Sequence, residues 1–343
     1  MYAWESFLIV AQGGRATRPP VVLVANNAFL ARLVGMSAVD LLLYPMQWLR
    51  ARIWLTERFP DAVLLPGYWV EYGTAVEASA FGASIMWRHD HSPVTRPLRL
   101  PIDQWGNLPH PDPHTDGLMA LVLRRLWNLE KEGELPAPYQ VNFVVAQGPF
   151  AVAAHVLGVS NFMSAIEAEP EYTRQVLDVL EITTEAVIRY LQAQLGCLRE
   201  PLGIVLHDDT VGLLPANTFN RFAVPYLKRI FDQFEGLVRI FRNDAPMRHL
   251  LPLLSQLDFE VFHLSHKVDI ADASALAGQV ALMGNVPPLD ILGHGTPEQV
   301  DAATRDCLAR ARQDGRHILS SGGALLPGTP AENVDAMIRV ALE

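Results

Sequence analysis

Short, nearly continuous apolar runs alternate along the chain with longer amphipathic stretches. Such runs are typical of strands that are buried on both faces of a parallel sheet. They predict eight strands, at 21–25, 62–65, 141–146, 203–207, 238–241, 260–264, 280–283 and 317–320. The stretches between them predict helices at 37–57, 117–132, 150–158, 161–166, 170–195, 217–234, 246–256, 297–314 and 330–342.

Eight strands with intervening helices predict an α/β chain, a single (β/α)8 TIM barrel over residues 1–343. An open, doubly wound sheet is the alternative, but neither a GxGxxG nor a Walker loop supports it. Two helix starts strengthen the barrel prediction. Thr296 with Gln299, and Thr329 with Glu332, have the spacing of a capping box, each with a proline after the threonine. A strand, a loop and a capped helix, repeated, form the unit of a parallel barrel.

Residues 67–116 interrupt this alternation. The segment is rich in Trp, Pro and His and holds a further strand candidate at 84–87. Its part from about 88 to 116 is too long for an ordinary connection, so this part is either functional or a covering flap. The whole segment from about 67 to 116 is predicted to be a flap on the barrel. Its histidines are interpreted as part of a solvated surface loop rather than as metal ligands; they are His89, His91, His110 and His114.

Composition limits the classes of protein that fit. Of the 343 residues, 50% are hydrophobic and 19% are charged, so a large core is expected and global disorder is excluded. The net charge of −10 argues against a general affinity for nucleic acid or for anionic membranes. No apolar run reaches the ~18 residues of a membrane span.

The cysteines and the N-terminus bear on the cellular setting. The two cysteines, Cys197 and Cys307, lie in predicted helices, where both are interpreted as buried small hydrophobes. They form no disulfide framework, and the N-terminus lacks the basic lead of a secretory signal. A cytoplasmic location is therefore expected.

Polar residues follow the C-terminal ends of the predicted strands, where barrel enzymes hold their catalytic groups. His207 and Asp209 follow one strand and Asp244 follows the next, and these three are predicted to be catalytic. An imidazole and carboxylates at such positions can act as acid, base or metal ligand. The alternatives are a loop-capping carboxylate at 207–209 and an ion pair between Asp244 and Arg242.

Further residues are predicted to bind substrate. They are Asn26, Tyr68, Glu77, Gln147, Arg242, Asn243, His263 and Asn285. His207, Asp244 and His263 form a candidate metal set of two imidazoles and one carboxylate. Two alternatives stay open. His263 can be a hydrogen-bonded histidine of the core, and Glu77 can be a carboxylate that is stabilised at a helix N-terminus and has no catalytic role.

Several fragments together resemble one family. They are GNVPPLDILGHGTPEQV (284–300) before a Gly-rich loop and LPGTPAENV (326–334), the GPF segment at 148–158, and 207–228 with its acidic start and Phe…Pro-Tyr-Leu-Lys helix. In order and spacing, the chain resembles the uroporphyrinogen decarboxylase superfamily over nearly its whole length. That superfamily includes methyltransferases that exchange methyl groups with corrinoid proteins, and the resemblance is closer to this branch.

Two departures from the family pattern narrow the expected activity. The family's decarboxylases carry an arginine-bearing loop near the N-terminus, whereas residues 24–29 here read ValAlaAsnAsnAlaPhe. The family's zinc methyltransferases carry His-x-Cys and a further Cys where this chain has Arg242-Asn243-Asp244 and Gly322-Gly323-Ala324. Porphyrinogen decarboxylation is therefore not expected, and neither is zinc bound by thiolates.

The resemblance then implies a methyltransferase of the demethylase type, acting on a small methylated substrate. No DxHxxG signature for cobalamin occurs in the chain, so the corrinoid is expected on a separate partner protein. The alternative is a cofactor-independent decarboxylase or lyase in which Arg242 holds the substrate carboxylate. A binding protein without activity is a third possibility, since fold does not determine function.

Overall fold

All eight predicted strands form in the structure, a computed structural model that describes residues 2–168, 170–276, 280–311 and 313–343. They are accompanied by a short hairpin at 84–96, close to the additional strand candidate. In chain order the strands are β1 Val21–Val24, β2 Ala62–Leu65, β3 Ser84–Met86, β4 Val94–Arg96, β5 Phe143–Gln147, β6 Gly203–His207, β7 Val238–Asn243, β8 Val261–Leu264, β9 Ala281–Met283 and β10 His317–Ser320.

Helices separate most of these strands. The α-helices are α1 Tyr2–Ala11, α2 Asn27–Leu33, α3 Ala38–Leu43, α4 Pro45–Arg58, α5 Ala75–Ala80, α6 Gly117–Glu130, α7 Pro149–Leu157, α8 Val159–Glu167, α9 Thr173–Cys197, α10 Ala216–Thr218, α11 Val224–Gln233, α12 Ile270–Leu276, α13 Pro297–Arg310 and α14 Ala331–Leu342. Turns of 3-10 helix lie at Ile102–Asn107, Thr210–Leu213 and Arg248–Gln256, and π-helical turns at Phe219–Ala223 and Pro288–Gly293.

The chain divides into two compact units, the first made of residues 1–67, 89–91 and 238–343. Its strands form a parallel sheet in the order β2-β1-β10-β9-β8-β7. Strands β1, β2, β8 and β10 are buried at every position, as expected for apolar runs covered on both faces. The strands are parallel, so their C-terminal ends lie at the same edge.

The second unit consists of residues 68–88 and 92–237. Its central pair, β5 and β6, is parallel, in a register that ends with Gln147 opposite His207. The long helix α9 buries apolar side chains along its length and packs against α6, α7 and β5. The segment predicted as a flap contains α5, the antiparallel β3–β4 pair and the turn at Ile102–Asn107. Its role as a flap stays a prediction.

One of the two predicted capping boxes is confirmed and the other is wrong. The side chain of Thr296 accepts from the backbone of Gln299, whose side chain accepts from the backbone of Thr296. Helix α14, by contrast, begins one residue later than predicted, with Pro330 at its N-cap and no capping side chain. Thr329 is instead buried at the end of a turn in which its N–H donates to the carbonyl of Leu326.

Proline and local winding alter other predicted helices. The predicted helix at 37–57 is two helices, because Pro45 starts a new one at its first position. The predicted helix at 246–256 is a 3-10 turn containing Pro252, and the one at 217–234 includes a π-helical turn. Residue 312 of the predicted helix 297–314 lies outside the described residues.

In the part of the chain that the structure describes, no single helix has the length and hydropathy to span a membrane. The helices α7 and α8 meet that requirement only as a pair, across a bend of 112°.

Candidate functional site

His207 and Asp209 form an imidazole–carboxylate pair at the end of β6. Nε2 of His207 lies 3.0 Å from Oδ2 of Asp209, and the two side chains are 20% and 46% exposed. The backbone carbonyl of His207 accepts from the N–H of Gly148, which fixes this strand end beside the end of β5. A carboxylate that faces an imidazole can orient its ring. The pair therefore offers an oriented imidazole at a place that solvent reaches.

Asp208 lies between these two residues but points into the protein. It is fully buried, and its Oδ2 accepts from the N–H groups of Phe150 at 3.0 Å and Ala151 at 3.2 Å, in the first turn of α7. Burial raises the pKa of Asp208 to about 7, against the opposing effect of its backbone hydrogen bonds. The capping alternative for this loop is therefore confirmed at Asp208.

Glu77, in the first turn of α5, is buried, with 3% of its surface exposed. Its Oε1 accepts from the N–H of Gln147 at 2.8 Å. Its Oε2 has no hydrogen-bond partner among the described residues. Burial raises the pKa of this carboxyl group to about 7, and the bond from Gln147 and the charge of His207 act in the opposite direction.

The sequence did not single out His155, on α7. Burial lowers the pKa of His155; the nearby His207 lowers it as well, whereas Asp209 raises it. His155 is therefore part of the same electrostatic group as His207. The sequence shows a lone histidine in the apolar helix segment PFAVAAHVL. Such a histidine can belong to a functional site or to the hydrophobic core, and the pattern does not distinguish the two.

In the first unit, Arg242 and Asp244 form an ion pair after β7. Nη2 of Arg242 lies 2.5 Å from Oδ2 of Asp244, and both side chains are mostly buried. The ion pair that was the alternative for these residues is therefore present. Asn243, between them, is fully buried and accepts from the N–H of Ala245 at 2.8 Å.

His263 supports the Gly-rich loop. It is fully buried, and its Nε2 donates to the carbonyl of Ser321 at 2.8 Å. This is the hydrogen-bonded core position that was the alternative for His263. The next turn of the loop is held by His266, whose backbone N–H donates to the carbonyl of Gly322 at 3.1 Å.

Other predicted substrate-binding residues also have bonds within the fold. Oδ1 of Asn26 accepts from the N–H of Phe29 at 2.8 Å and so caps α2. The amide of Asn285 donates to the carbonyls of Val268 at 2.7 Å and Ser265 at 3.2 Å. Tyr68 is buried, with its ring 5.4 Å from that of Tyr139.

Within each unit, the structure brings some of the predicted residues together. The second unit unites Glu77, Gln147, His207 and Asp209. The first unit places Arg242, Asn243 and Asp244 beside the Gly-rich loop, since a Cβ atom on Gly323 would lie 3.7 Å from Oδ2 of Asp244. Their catalytic and substrate-binding roles, and the metal set His207, Asp244 and His263, stay predictions.

A thiolate zinc site does not fit these residues. The chain has arginine, asparagine, aspartate and small residues at the positions of the family's soft ligands. The backbone at Gly322 also leaves no room for a side chain, because a Cβ there would lie 2.3 Å from the nitrogen of His266. Both cysteines are buried, and their pKa values are raised by burial.

Comparison of the sequence with known proteins gives a match to one protein family. A sequence model described as uroporphyrinogen decarboxylase (URO-D) matches residues 3–343. The chain is similar to a methylated-thiol–coenzyme M methyltransferase of Methanosarcina mazei, at 24% identity over 80% of this chain and 71% of that protein. It is similar to a uroporphyrinogen decarboxylase of a Synechococcus species, at 30% identity over 56% of this chain and about half (55%) of that protein.

A solved structure, a methyltransferase from Methanosarcina mazei, superimposes with a TM-score of 0.83 and covers 99% of this chain and 98% of that one, at 20% identity. At that identity the likeness bears on the fold alone. It confirms the predicted (β/α)8 barrel.

Proposed function

The chain belongs to the uroporphyrinogen decarboxylase family, and from this premise we propose that it is a methyltransferase that acts with a separate corrinoid protein. Its substrate is a small molecule carrying a methyl group on a heteroatom. The family holds both methyltransferases and decarboxylases, so the residues at the strand ends must decide between the two activities.

The observation that carries the proposal is the ion pair of Arg242 and Asp244. A decarboxylase of this type needs a cation that is available to hold the substrate carboxylate. Arg242, predicted for that role, has its charge neutralised by Asp244 at 2.5 Å. After β1, where the family's decarboxylases carry an arginine, this chain has Asn26 and Asn27, and both side chains serve the fold.

His207 and Asp209 supply the proton chemistry in this proposal. When the methyl group leaves, the heteroatom keeps the electron pair of the broken bond and needs a proton. His207 is the general acid that provides it, and Asp209 orients the imidazole. Asp244 is the third proposed catalytic residue, and its carboxylate, which is partly exposed, interacts with the polar part of the substrate together with Arg242.

The partner protein supplies the methyl acceptor. A corrinoid, when present, provides a cobalt nucleophile that takes the methyl group. The side chains at the strand ends bear on the direction of methyl transfer. A zinc ion held by cysteine thiolates can bind a thiol and activate it as the methyl acceptor. With such a site unsupported at 242–244 and 322–324, removal of a methyl group from the substrate is favoured over its transfer to a thiol.

A direct assay tests the proposal against its alternative. The purified protein is mixed with a reduced corrinoid protein and, in turn, methylated thiols, methylamines and methyl ethers, and the cobalt absorption spectrum is followed. The expected result is methylation of the corrinoid with one substrate class. In parallel, uroporphyrinogen is supplied and release of carbon dioxide is measured. Decarboxylation without methyl transfer would contradict the proposal.

A further inference from the structure

We propose that the groove between helices α6 and α9 is a binding site for a small, flat aromatic molecule that carries one negative charge. The cavity in this α6–α9 groove has a volume of about 490 Å³, and small-molecule sites typically measure about 300–1,000 Å³. Its lining residues all belong to the second unit. Binding there does not depend on the proposed methyl transfer, so it can be measured without substrate or partner protein.

The α6–α9 groove lies away from the strand end that carries His207. On α9 it is lined by Ala193, Gly196 and Cys197, which belong to the last two turns of that helix. Only residues 198–202 join α9 to the start of β6 at Gly203. The five residues of β6 then place His207 about 13 Å further along the strand. The groove is therefore separate from the candidate functional site.

The groove is open because the helix faces that line it carry several small side chains. The α6 side consists of residues at the i, i+3, i+4 and i+7 positions of one helix face, which are Ala120, Leu123, Arg124 and Trp127. On α9, a Cβ atom added to Gly196 would have no atom within 4 Å. A ligand can therefore lie directly above Gly196 without displacing a side chain.

Trp127 and Arg124 determine which ligand fits. Trp127 is 44% exposed, so much of its indole ring is available for stacking against another aromatic ring. Among the described residues that line the groove none is acidic, and Arg124 supplies a permanent positive charge. Nη2 of Arg124 lies 3.1 Å from Oε1 of Glu132, and their side chains are 62% and 45% exposed.

An ion pair as exposed as that of Arg124 and Glu132 is weak. The carboxylate or sulfonate of a ligand can therefore replace Glu132 and accept the hydrogen bonds of the guanidinium group. The exposed His114 adds a second polar group at the rim. An aromatic plane beside a single cation matches a flat ring with one acidic substituent.

Isothermal titration calorimetry of the complete chain tests this assignment with two probes, 2-naphthoate and its neutral analogue 2-naphthalenemethanol. We expect one molecule of 2-naphthoate to bind per chain. The neutral analogue should bind about tenfold more weakly, the scale of one hydrogen bond to a charged group. Equal affinity for both probes would overturn the assignment to an anion, and an absence of binding for both would overturn the site.

Substitutions at Gly196 test the location of the site. Gly196→Leu fills the groove and should abolish binding of 2-naphthoate, whereas Gly196→Ala adds one carbon in open space and should retain it. Neither variant should lower the melting temperature, because both replace a helical glycine by a better helix former. Wild-type affinity in a folded Gly196→Leu protein would show that the probe binds elsewhere, which contradicts the proposal.

A second set of variants tests the two residues that choose the ligand. Trp127→Ala should weaken binding of 2-naphthoate by roughly tenfold through loss of the stacking surface. Its matched control is Trp54→Ala, in the first unit, because Trp54 is 43% exposed and does not line the groove. Arg124→Gln should reduce the affinity for 2-naphthoate to that for the neutral analogue. Equal effects of the two tryptophan variants, or no effect of Arg124→Gln, would contradict the proposal.

Discussion

Asp208 and Asp209 are neighbours in the chain but have opposite surroundings. Asp208 is buried under the first turn of α7, whereas Asp209 is 46% exposed beside His207. Asp209→Asn should lower turnover in the methyl-transfer assay by about 10²-fold, the scale of losing one acid–base group, with the fold intact. Steady-state kinetics and thermal unfolding of the same preparation measure both effects.

The matched variant is Asp208→Asn, which should lower the melting temperature, because one amide oxygen replaces a carboxylate that accepts several backbone N–H groups. If Asp209→Asn keeps full activity, Asp209 has no role as orienting group.

Asp244→Asn tests the third carboxylate in the same assay, with an expected loss of about 10²-fold or more.

Glu77 also makes a prediction about stability. Its pKa of about 7 in the folded protein lies above the ordinary value of 4.5, so the folded chain holds this proton more tightly than the unfolded chain. The free energy of unfolding therefore loses this contribution as pH rises from 4.5 through about 7. Glu77→Gln cannot titrate, and relative to the wild type it should gain up to about 3 kcal/mol over that range.

Denaturant unfolding of both proteins at several pH values measures this difference. A stability difference that is the same at pH 4.5 and pH 8 would show that the pKa of Glu77 is the same in the folded and the unfolded chain.

The sequence located the strand-end residues but could not assign their partners. His207, Asp209 and Asp244 were predicted from position alone, since any barrel strand ends at the same face. The bonds of Asp208 and Glu77 join residues separated by 57 and 70 positions. Such pairs follow from the packing of whole elements, which a local pattern does not contain.

At the scale of single elements, the two threonines that precede prolines near the C-terminus allow a controlled comparison. Thr296 caps α13, so Thr296→Val should cost about 1 kcal/mol of stability. Thr329 is buried, and its hydroxyl has no partner in the described ranges, so Thr329→Val should be neutral or slightly stabilising. Melting temperatures under one set of conditions measure both changes. Equal losses in the two variants would contradict the assignment of the caps.

The strands were easier to predict than the helix ends for a physical reason. A strand buried on both faces needs mostly apolar side chains, and that requirement appears directly in the sequence. A helix end depends on turn geometry, and ThrPro fits both a cap and a turn. The breaks at Pro45 and Pro252 could have been predicted from the prolines, whereas the π-helical turn at Phe219–Ala223 has no comparable signal.

At the scale of the whole molecule, both thiols should be protected by the fold. Cys197 and Cys307 are each 6% exposed, and burial raises the pKa of each thiol, so little reactive thiolate forms. A thiol-specific reagent should label neither cysteine in the native protein at neutral pH within minutes, and both after unfolding. Rapid labelling of a native cysteine, with loss of activity, would indicate that it lies in the site.

The fold class could be predicted from the sequence because the alternation of apolar runs and helices extends over the whole chain, and the family fragments occur in order along it. The activity could not be predicted to the same depth. The residues that distinguish a methyltransferase from a decarboxylase are few, and their effect depends on which charges are already paired, as with Arg242 and Asp244.

The contact between Gly148 and Asp208 constrains how this protein can evolve. A Cβ atom on Gly148 would lie 2.3 Å from Oδ2 of Asp208, so Gly148 cannot gain a side chain while Asp208 keeps its size. Gly148→Ala should be harmful alone and tolerated only after Asp208 has been shortened, a case of sign epistasis between sites 60 residues apart in the sequence. The backbone before α7 and the loop that carries His207 and Asp209 are thereby joined, so a change at one of them is expected to need a matching change at the other.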